Sequence, residues 1–581
     1  MKFLLAAINA KYIHSNPAVY SLRAYAKERL PEADIMIGEY TINHRTDSVL
    51  QDLYEKKPDF IGFSCYIWNI SHVLELVHDL HKVLPGVKIW LGGPEVSFDA
   101  EALLFREPDV DGIMRGEGEA TFYELASALL AAENGGEPEL SSIGGITFRT
   151  ADGSIKENPG RAPLPMDSLP FAYEDVTEFE NRIIYYESSR GCPFSCSYCL
   201  SSIDKSVRFR SLENVKRELD FFLERKVPQV KFVDRTFNCR REHTMGIWRH
   251  LLERDNGVTN FHFEISADLL NKEEIALIGA MRPGLIQLEI GVQSTNLLTV
   301  GEIRRTMNLE RLKWAVEQVR RFRNTHQHLD LIAGLPYEGM ESFLHSFDEV
   351  YRMKPDQLQL GFLKVLKGSY MEEQTECYGL KYRMTPPYEV LATKWLDYGD
   401  VIRLKAMEEM VEVYYNSGQF TRTMERLSES FSRPSELFLR LADYYRENGL
   451  DGVSHSRLSR YEILYGFIRE NEKQKERLSA FRDSLMYDLY LRENAKSRPS
   501  FASDQSPHKE KLRAFFKMEE KAPRFLAGYE GYDSRQLANM AHLEFFEDGT
   551  AVVFDYRNRD PLDHNALALP VKDMEEAVNV P

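Results

Sequence analysis

The chain has 581 residues, 43% of them apolar, and a formal charge of −17 at pH 7. That length suits three or four domains of ordinary size, and the acidic balance argues against broad electrostatic binding of nucleic acid. No run of 18 apolar residues offers a membrane span. The start, MKFLLAAINAKYIHSN, lacks the long apolar core and cleavage site of a signal peptide. With only six cysteines, half of them clustered, the chain fits a reducing, cytoplasmic setting away from membranes.

Over roughly the first 130 residues short apolar strands alternate with helical stretches. Strands are expected at 2–8, 34–40, 59–64, 88–91 and 111–114, and helices at 17–30, 47–56, 70–84 and 120–132. Five strands with crossover helices imply a doubly wound parallel sheet, whose ligands sit beyond the carboxyl ends of the strands. At those ends stand Asn9 to His14, Ser64-Cys65-Tyr66, Gly92-Gly93-Pro94-Glu95 and Gly116-Glu117-Gly118-Glu119. The acidic cluster of a phosphoacceptor receiver is missing, and the last turn does not have the spacing of a dinucleotide fingerprint.

This set resembles the cobalamin-binding domain found ahead of many radical SAM cores. The resemblance implies that Ser64, Gly92 and Gly93 line the tunnel for the nucleotide tail of cobalamin, and that Glu117 belongs to a turn typical of these domains. Relatives that ligate cobalt from below use Asp-x-His-x-x-Gly after the first strand. Here the loop has Asn9 and His14 without that aspartate or glycine, so His14 stands as an axial ligand or as a polar contact. Many relatives bind cobalamin with no protein histidine.

A first domain over 1–135 is followed by a hairpin and proline linker over 136–177. Strands at 145–150 and 154–156 flank Ala151-Asp152-Gly153, a hairpin signal, and Pro163, Pro165 and Pro170 stiffen the rest of the linker.

Glu187 to Leu200, ESSRGCPFSCSYCL, then sets Cys192, Cys196 and Cys199 in a C-x3-C-x2-C run after an apolar strand at 182–186. Three thiolates hold one face of a [4Fe–4S] cluster, which normally takes four protein ligands, so one iron is left open. Structural zinc would want four ligands in paired knuckles, and Cys239 and His243 stand alone downstream. Three ordinary buried cysteines are the other alternative. The segment resembles the signature of radical SAM enzymes, in which the open iron binds the amino and carboxylate groups of S-adenosylmethionine.

Further strands are expected at 229–233, 261–266, 285–290, 328–333 and 357–362, with helices such as 212–224 and 309–323 between them. Six βα units over 178–380 suit an open partial barrel and fall short of an eightfold one. Polar residues recur at the strand ends: Asp234, Ser266, Gln293-Ser294 and Gly334. Each segment resembles one of the cobalamin-linked radical SAM family, over about the first two-thirds of the chain. The resemblance implies Asp234 and Ser266 near the amino and ribose groups of S-adenosylmethionine, Gln293 and Ser294 in the same cavity, Gly334 beside the adenine and Arg304 at the carboxylate. The bland alternatives are a helix cap for Asp234, an ordinary turn for Gly334 and a solvated sheet residue for Glu289.

Residues 381–581 form a mostly helical third domain, with helices expected at 388–407, 410–415, 428–448 and 458–470. The stretch 496–511 has the composition of a flexible loop. A hairpin over 541–546 and 551–556 comes next, with His542, Glu544 and Asp548 suggesting one wet face. This domain is expected to select the substrate.

By resemblance, the function is cleavage of S-adenosylmethionine at the cluster to a 5′-deoxyadenosyl radical, with cobalamin as methyl carrier to an unactivated carbon. Ring formation without methyl transfer is the nearest alternative, and a low-potential donor of the flavodoxin or ferredoxin type is expected. A tRNA methylthiotransferase would carry an extra N-terminal cysteine set, whereas only Cys65 is present there. A non-catalytic cobalamin or redox regulator would need an output module, and no basic DNA-reading helix is evident.

Overall fold

The computed structural model describes residues 1–132 and 136–571. Residues 133–135, at the expected end of the first domain, and 572–581, at the end of the third, lie outside the described residues. The chain divides into two compact units, residues 1–339 with 361–398, and residues 340–360 with 399–581.

The first unit opens with β1 (Lys2–Asn9), β2 (Asp34–Thr41), β3 (Phe60–Ser64), β4 (Lys88–Gly92) and β5 (Gly112–Met114), all parallel, in the order β2-β1-β3-β4-β5. Every residue of β1 from Phe3 to Ile8 is buried, as a strand covered by helices on both faces requires. The expected helices form as Pro17–Arg29, Thr46–Lys56, Ile70–Val83 and Glu119–Ala131. A short one, Ala100–Arg106, was not anticipated.

The hairpin forms as β6 (Ile146–Arg149) and β7 (Ile155–Glu157), yet it does not act as a linker. It continues the first sheet antiparallel to β5, with Phe148 opposite Gly112. β5 has three residues, and the hairpin covers a backbone edge that would otherwise be exposed.

The second sheet of this unit has, in spatial order, the strands Ile184–Tyr186, Gln229–Phe232, Asn260–Ile265, Ile286–Gln293 and His326–Ala333. These five are parallel to their neighbours. The strand expected over 357–362 forms as Gln357–Phe362. Helices return between them with ordinary caps: Ser211 on Leu212–Glu224, an Asn271/Glu274 capping box on Lys272–Gly279, and Asn308 on Leu309–Phe322.

The helix expected over 388–407 starts later. Tyr388 has a φ of +56°, Val390–Ala392 is a strand paired with Lys381–Tyr382, and the helix runs Tyr398–Val411.

The second unit is mostly helical. Its helix Met340–Arg352 meets the helix Pro434–Glu447, where Asp348 accepts from the amide and hydroxyl of Ser435 at 2.7 and 2.9 Å. The helix expected over 428–448 starts later and runs Pro434–Glu447, because Pro434 can start a helix but not continue one, and a separate helix, Thr421–Ser428, precedes it. Lys475–Arg492, the longest of this unit's described helices, lacks a side-chain cap and escaped the sequence reading.

Residues 496–511 are not a free loop. Arg498 is paired with Glu544, Ser506–His508 makes a helical turn, and the helix Lys509–Lys521 begins there. The expected hairpin gains a third strand, giving Ala541–Phe545, Ala551–Arg559 and Ala566–Pro570. Its expected wet face is closed at Glu544, which is 1% exposed, and part-closed at His542, while Asp548 in the turn is exposed. Among the described residues no helix is long and apolar enough to cross a membrane.

Candidate functional site

The cysteine loop leaves the strand Ile184–Tyr186 and is fastened from below by Asp234. That carboxylate is fully buried and accepts from the Ser188 amide at 3.0 Å, the Ser188 hydroxyl at 2.6 Å and the Ser189 hydroxyl at 2.5 Å. Burial raises its pKa while the serine bonds oppose the rise. Both oxygens thus accept from the loop, so Asp234, expected by resemblance with Ser266 near the amino and ribose groups of S-adenosylmethionine, holds the loop. His243, weighed as a zinc ligand, lies 3.0 Å from the Ser188 hydroxyl. Gly191 precedes the first cysteine at φ +88°, where a Cβ would come 2.7 Å from the Ser206 carbonyl oxygen.

Cys192 and Cys196 are buried and Cys199 is half-buried. Among the described residues no three His, Cys, Asp or Glu side chains are grouped so as to hold one metal ion. An iron–sulfur cluster makes a different demand, because each thiolate binds its own iron and the sulfurs stand apart. Three closely spaced cysteines beside a fixed cation fit that demand. Arg305 supplies the cation: its Nη1 lies 3.8 Å from Cys196 Sγ and 3.4 Å from the Tyr198 hydroxyl, and its Nη2 donates to the Gly291 carbonyl. Burial raises the Cys196 thiol pKa, and the Arg305 charge draws it back. Arg304, the residue singled out from sequence, instead lies over the Tyr370 ring at 3.6 Å.

At the other strand ends, Ser266 donates to Asp268 at 2.7 Å, and its amide donates to Asn238 at 2.9 Å. Gln293 has a φ of +70° and a buried Oε1 that accepts no hydrogen bond, a carbonyl ready for a donor. Ser294 is fully buried and donates to Glu338 at 2.6 Å. Gly334 has a φ of +89°, and a Cβ there would meet Val390 at 2.7 Å.

The carboxyl ends of the first sheet open on a cavity of about 930 Å³. Ser64, Gly92, Gly93 and Glu117 line it, and so do Arg190 and Cys199 of the cysteine loop. Gly93 has a φ of +113°, and a Cβ on it would lie 2.5 Å from the Cys65 carbonyl oxygen, so this turn requires glycine. Ser64 is held by Asn16, which donates to its hydroxyl at 3.1 Å. Glu117 is ion-paired with Arg208 and accepts from the Leu164 amide at 3.1 Å. His14 is not among the lining residues; its Nδ1 lies 2.6 Å from the Tyr185 hydroxyl, and burial lowers its pKa.

Two features of this cavity pair strand-end residues named above with partners that the sequence did not single out. Tyr66 and Trp68, also in the lining, stack at 4.3 Å with planes 8° apart. Their signal was present in the sequence, two aromatics directly after a strand end. Glu119 and Arg190, the second feature, form a buried pair that only the fold brings together.

Residues 4–126 match the family described as B12 binding domain, and residues 186–350 the radical SAM superfamily. Residues 376–560 match a family described as protein of unknown function (DUF4080). The chain is 27% identical over 324 residues to the 2-(S-pantetheinyl)-carbapenam-3-carboxylate methyltransferase of Streptantibioticus cattleyicolor, covering 49% of this chain and 44% of that one. It is 24% identical to the cobalamin-dependent radical SAM methyltransferase TokK of Streptomyces tokunonensis, over 56% of this chain and 50% of the relative. An anaerobic magnesium-protoporphyrin IX monomethyl ester cyclase of Rubrivivax gelatinosus is 23% identical, over 55% and 58%. The chain thus spans about half the length of the curated relatives it matches. Among solved structures, OxsB with aqua-cobalamin bound has a TM-score of 0.58 at 18% identity, covering 84% of this chain and 80% of that one. TsrM from Kitasatospora setae, with cobalamin and a [4Fe-4S] cluster bound, has 0.53 at 16% identity, covering 67% and 79%. These likenesses establish the fold.

Proposed function

We propose that this chain, a B12-binding domain followed by a radical SAM domain, is an enzyme using S-adenosylmethionine, a [4Fe–4S] cluster and cobalamin to methylate a carbon of its substrate. The observation that carries the reading is the shared cavity: Ser64, Gly92 and Gly93 of the first sheet and Cys199 of the cysteine loop open on the same space. Cys192, Cys196 and Cys199 would hold the cluster, and the Gly92-Gly93 turn would let the corrinoid tail approach the backbone. A cluster held there would pass an electron from an external donor to S-adenosylmethionine, and cobalamin would supply a methyl group for a substrate carbon.

The chain's own residues do the holding. Arg305 fixes charge beside Cys196, and Gln293 offers a carbonyl to a donor group of S-adenosylmethionine. Tyr66 and Trp68 give one wall of the cavity a stacked aromatic surface. A low-potential donor of the flavodoxin or ferredoxin type and a cytoplasmic location go with this chemistry. The second unit is assigned to substrate selection; it holds a cavity of about 570 Å³ in whose lining Arg422 lies over the Tyr487 ring at 3.4 Å. Radical cyclisation is the second reading, favoured by the likeness to a cyclase at similar identity.

Anaerobic reconstitution with S-adenosylmethionine and a strong reductant should give 5′-deoxyadenosine, and replacing the three cysteines by alanine should abolish it. Zinc in place of iron, or undiminished iron and activity in the triple variant, would sink the proposal. Hydroxocobalamin should survive desalting on the protein as a coloured corrinoid.

A further inference from the structure

Two of the three clustered sulfurs have a donor side chain at hand, and the two donors differ in kind. At Cys196 it is the Arg305 cation, 3.8 Å from Sγ. At Cys192 it is a neutral hydroxyl: Thr236 Oγ1 lies 3.6 Å from Cys192 Sγ, and both residues are buried. Thr236 stands four residues after the strand Gln229–Phe232 and directly before the helical turn Phe237–Cys239. A threonine ahead of a helical turn ordinarily spends its oxygen on a capping bond to the first amides. Thr236 makes no such bond. Its hydroxyl instead donates to the carbonyl of the residue before it, Arg235, at 2.8 Å.

A hydroxyl has one hydrogen to give. While Cys192 is a thiol, its S–H can be offered to Thr236 Oγ1, and the Thr236 hydrogen can stay on Arg235. Iron binding sends the thiol proton to solvent, because the thiolate is the metal ligand. The sulfur is then an acceptor only, so its contact with Oγ1 is favourable only when Thr236 supplies the hydrogen. Bonds to an ionised acceptor are roughly twice as strong as those between neutral groups. The thiolate therefore outcompetes the Arg235 carbonyl. Hydrogen bonds to cluster sulfurs are among the factors that set reduction potentials. One electron from an external donor, taken up without a proton, adds negative charge to the sulfurs, so a donor beside one of them favours the reduced form.

We propose that Thr236 is a positioning residue for electron uptake: its hydroxyl donates to the Cys192 thiolate and raises the potential at which the site accepts its electron. The proposal rests on the reading above, in which Cys192, Cys196 and Cys199 hold a [4Fe–4S] cluster reduced by a flavodoxin- or ferredoxin-type protein. Arg305 faces a different sulfur, so it does not replace the hydroxyl when that is removed.

The test is an anaerobic, dye-mediated redox titration of the reconstituted protein, read by the electron paramagnetic resonance of the reduced cluster, and it needs no substrate. If wild type gives no four-iron signal, the cluster reading falls and this proposal with it. Given that signal, Thr236→Val, which keeps the shape and loses the hydroxyl, should shift the reduction equilibrium about threefold to tenfold toward the oxidised form; tenfold is about 59 mV for one electron. Thr236→Ser restores a hydroxyl and should return the equilibrium toward the wild-type value. Iron per chain and far-UV circular dichroism establish that each variant is assembled. Where Thr236→Val does not retain iron, Thr236→Ala takes its place. Where neither does, the iron–sulfur stretching bands of wild type decide, and they should move on exchange into heavy water. An unchanged potential in a hydroxyl-free variant, a Thr236→Ser shift as large as that of Thr236→Val, or bands indifferent to heavy water would overturn the assignment.

Discussion

Arg190, two residues before Cys192, donates to both carboxylate oxygens of Glu119, at 2.5 and 3.2 Å. The pair ties the start of the helix Glu119–Ala131 to the cysteine loop, so the candidate cobalamin end and the candidate cluster end share one buried bond. Glu119→Ala removes a bidentate partner but leaves Arg190 paired with Glu187 at 2.8 Å and near Glu117 at 3.5 Å, and should cost about 1–3 kcal/mol in urea unfolding at pH 7. Burial raises the Glu119 carboxyl, but Arg190 outweighs it and holds the pKa below the ordinary value. Stability from a depressed carboxyl is present above the unfolded pKa, about 4.3, and is lost as pH falls through the folded value. The gap between wild type and variant should therefore narrow below about pH 4.

The two adjacent glycines after β4 should respond differently to alanine. At Gly93 a methyl would lie 2.5 Å from a backbone oxygen at a φ of +113°, whereas at Gly92 its nearest neighbour is 3.6 Å away, an ordinary contact. Gly93→Ala should lose about 2 kcal/mol or more, while Gly92→Ala should stay within about 1 kcal/mol of wild type. Urea midpoints of the apoproteins measure this directly, and equal midpoints would contradict the geometry.

Arg305→Ala removes the cation beside Cys196 and leaves the Gly291 carbonyl without its donor. A neighbour of this kind, once lost, commonly costs about tenfold or more in metal affinity. Iron retained after reconstitution and desalting should fall accordingly, with stability lower by about 1–3 kcal/mol. Arg305→Lys keeps the charge but not the planar fork, and should lie between the two. Full iron retention in Arg305→Ala would make the contact incidental.

The first sheet was legible because each of its longer strands is apolar and each turn polar, a pattern set locally by residues such as Phe3 to Ile8. Local pattern cannot say what consumes a side chain. Asp234 ends a strand in the sequence, but the serines that occupy it stand 45 and 46 residues earlier. Arg304 and Arg305 are adjacent, and the φ of +54° at Arg304 is part of the turn that sends one to Tyr370 and the other to Cys196. Glu289 looked like a solvated sheet residue but is paired with Lys231 and His262; alternation reveals a polar face without telling whether that face meets water or other charges. The same ambiguity misled the reading of 496–511 and of Glu544, where charge signalled pairing inside the fold.

Glu544 gives that last point a test within the second unit. Its carboxylate is 1% exposed, accepts from Arg498 at 2.7 and 2.8 Å and from Gln505 at 3.2 Å, and lies 3.0 Å from His542. Glu544→Ala strands Arg498 and should cost about 3–5 kcal/mol. Burial raises the Glu544 carboxyl, but Arg498 and His542 bring it below its ordinary value, so this contribution too is present above about pH 4.3 and is lost on acidification. Limited trypsinolysis supplies a local readout. The bond after Arg498 precedes Pro499 and is closed to trypsin, so the bond read is the one after Lys496. With Arg498 held on the sheet it should resist cleavage in wild type, and in Glu544→Ala it should be cut early. Rapid cleavage there in both proteins would mean that 496–511 is the free loop its composition suggested.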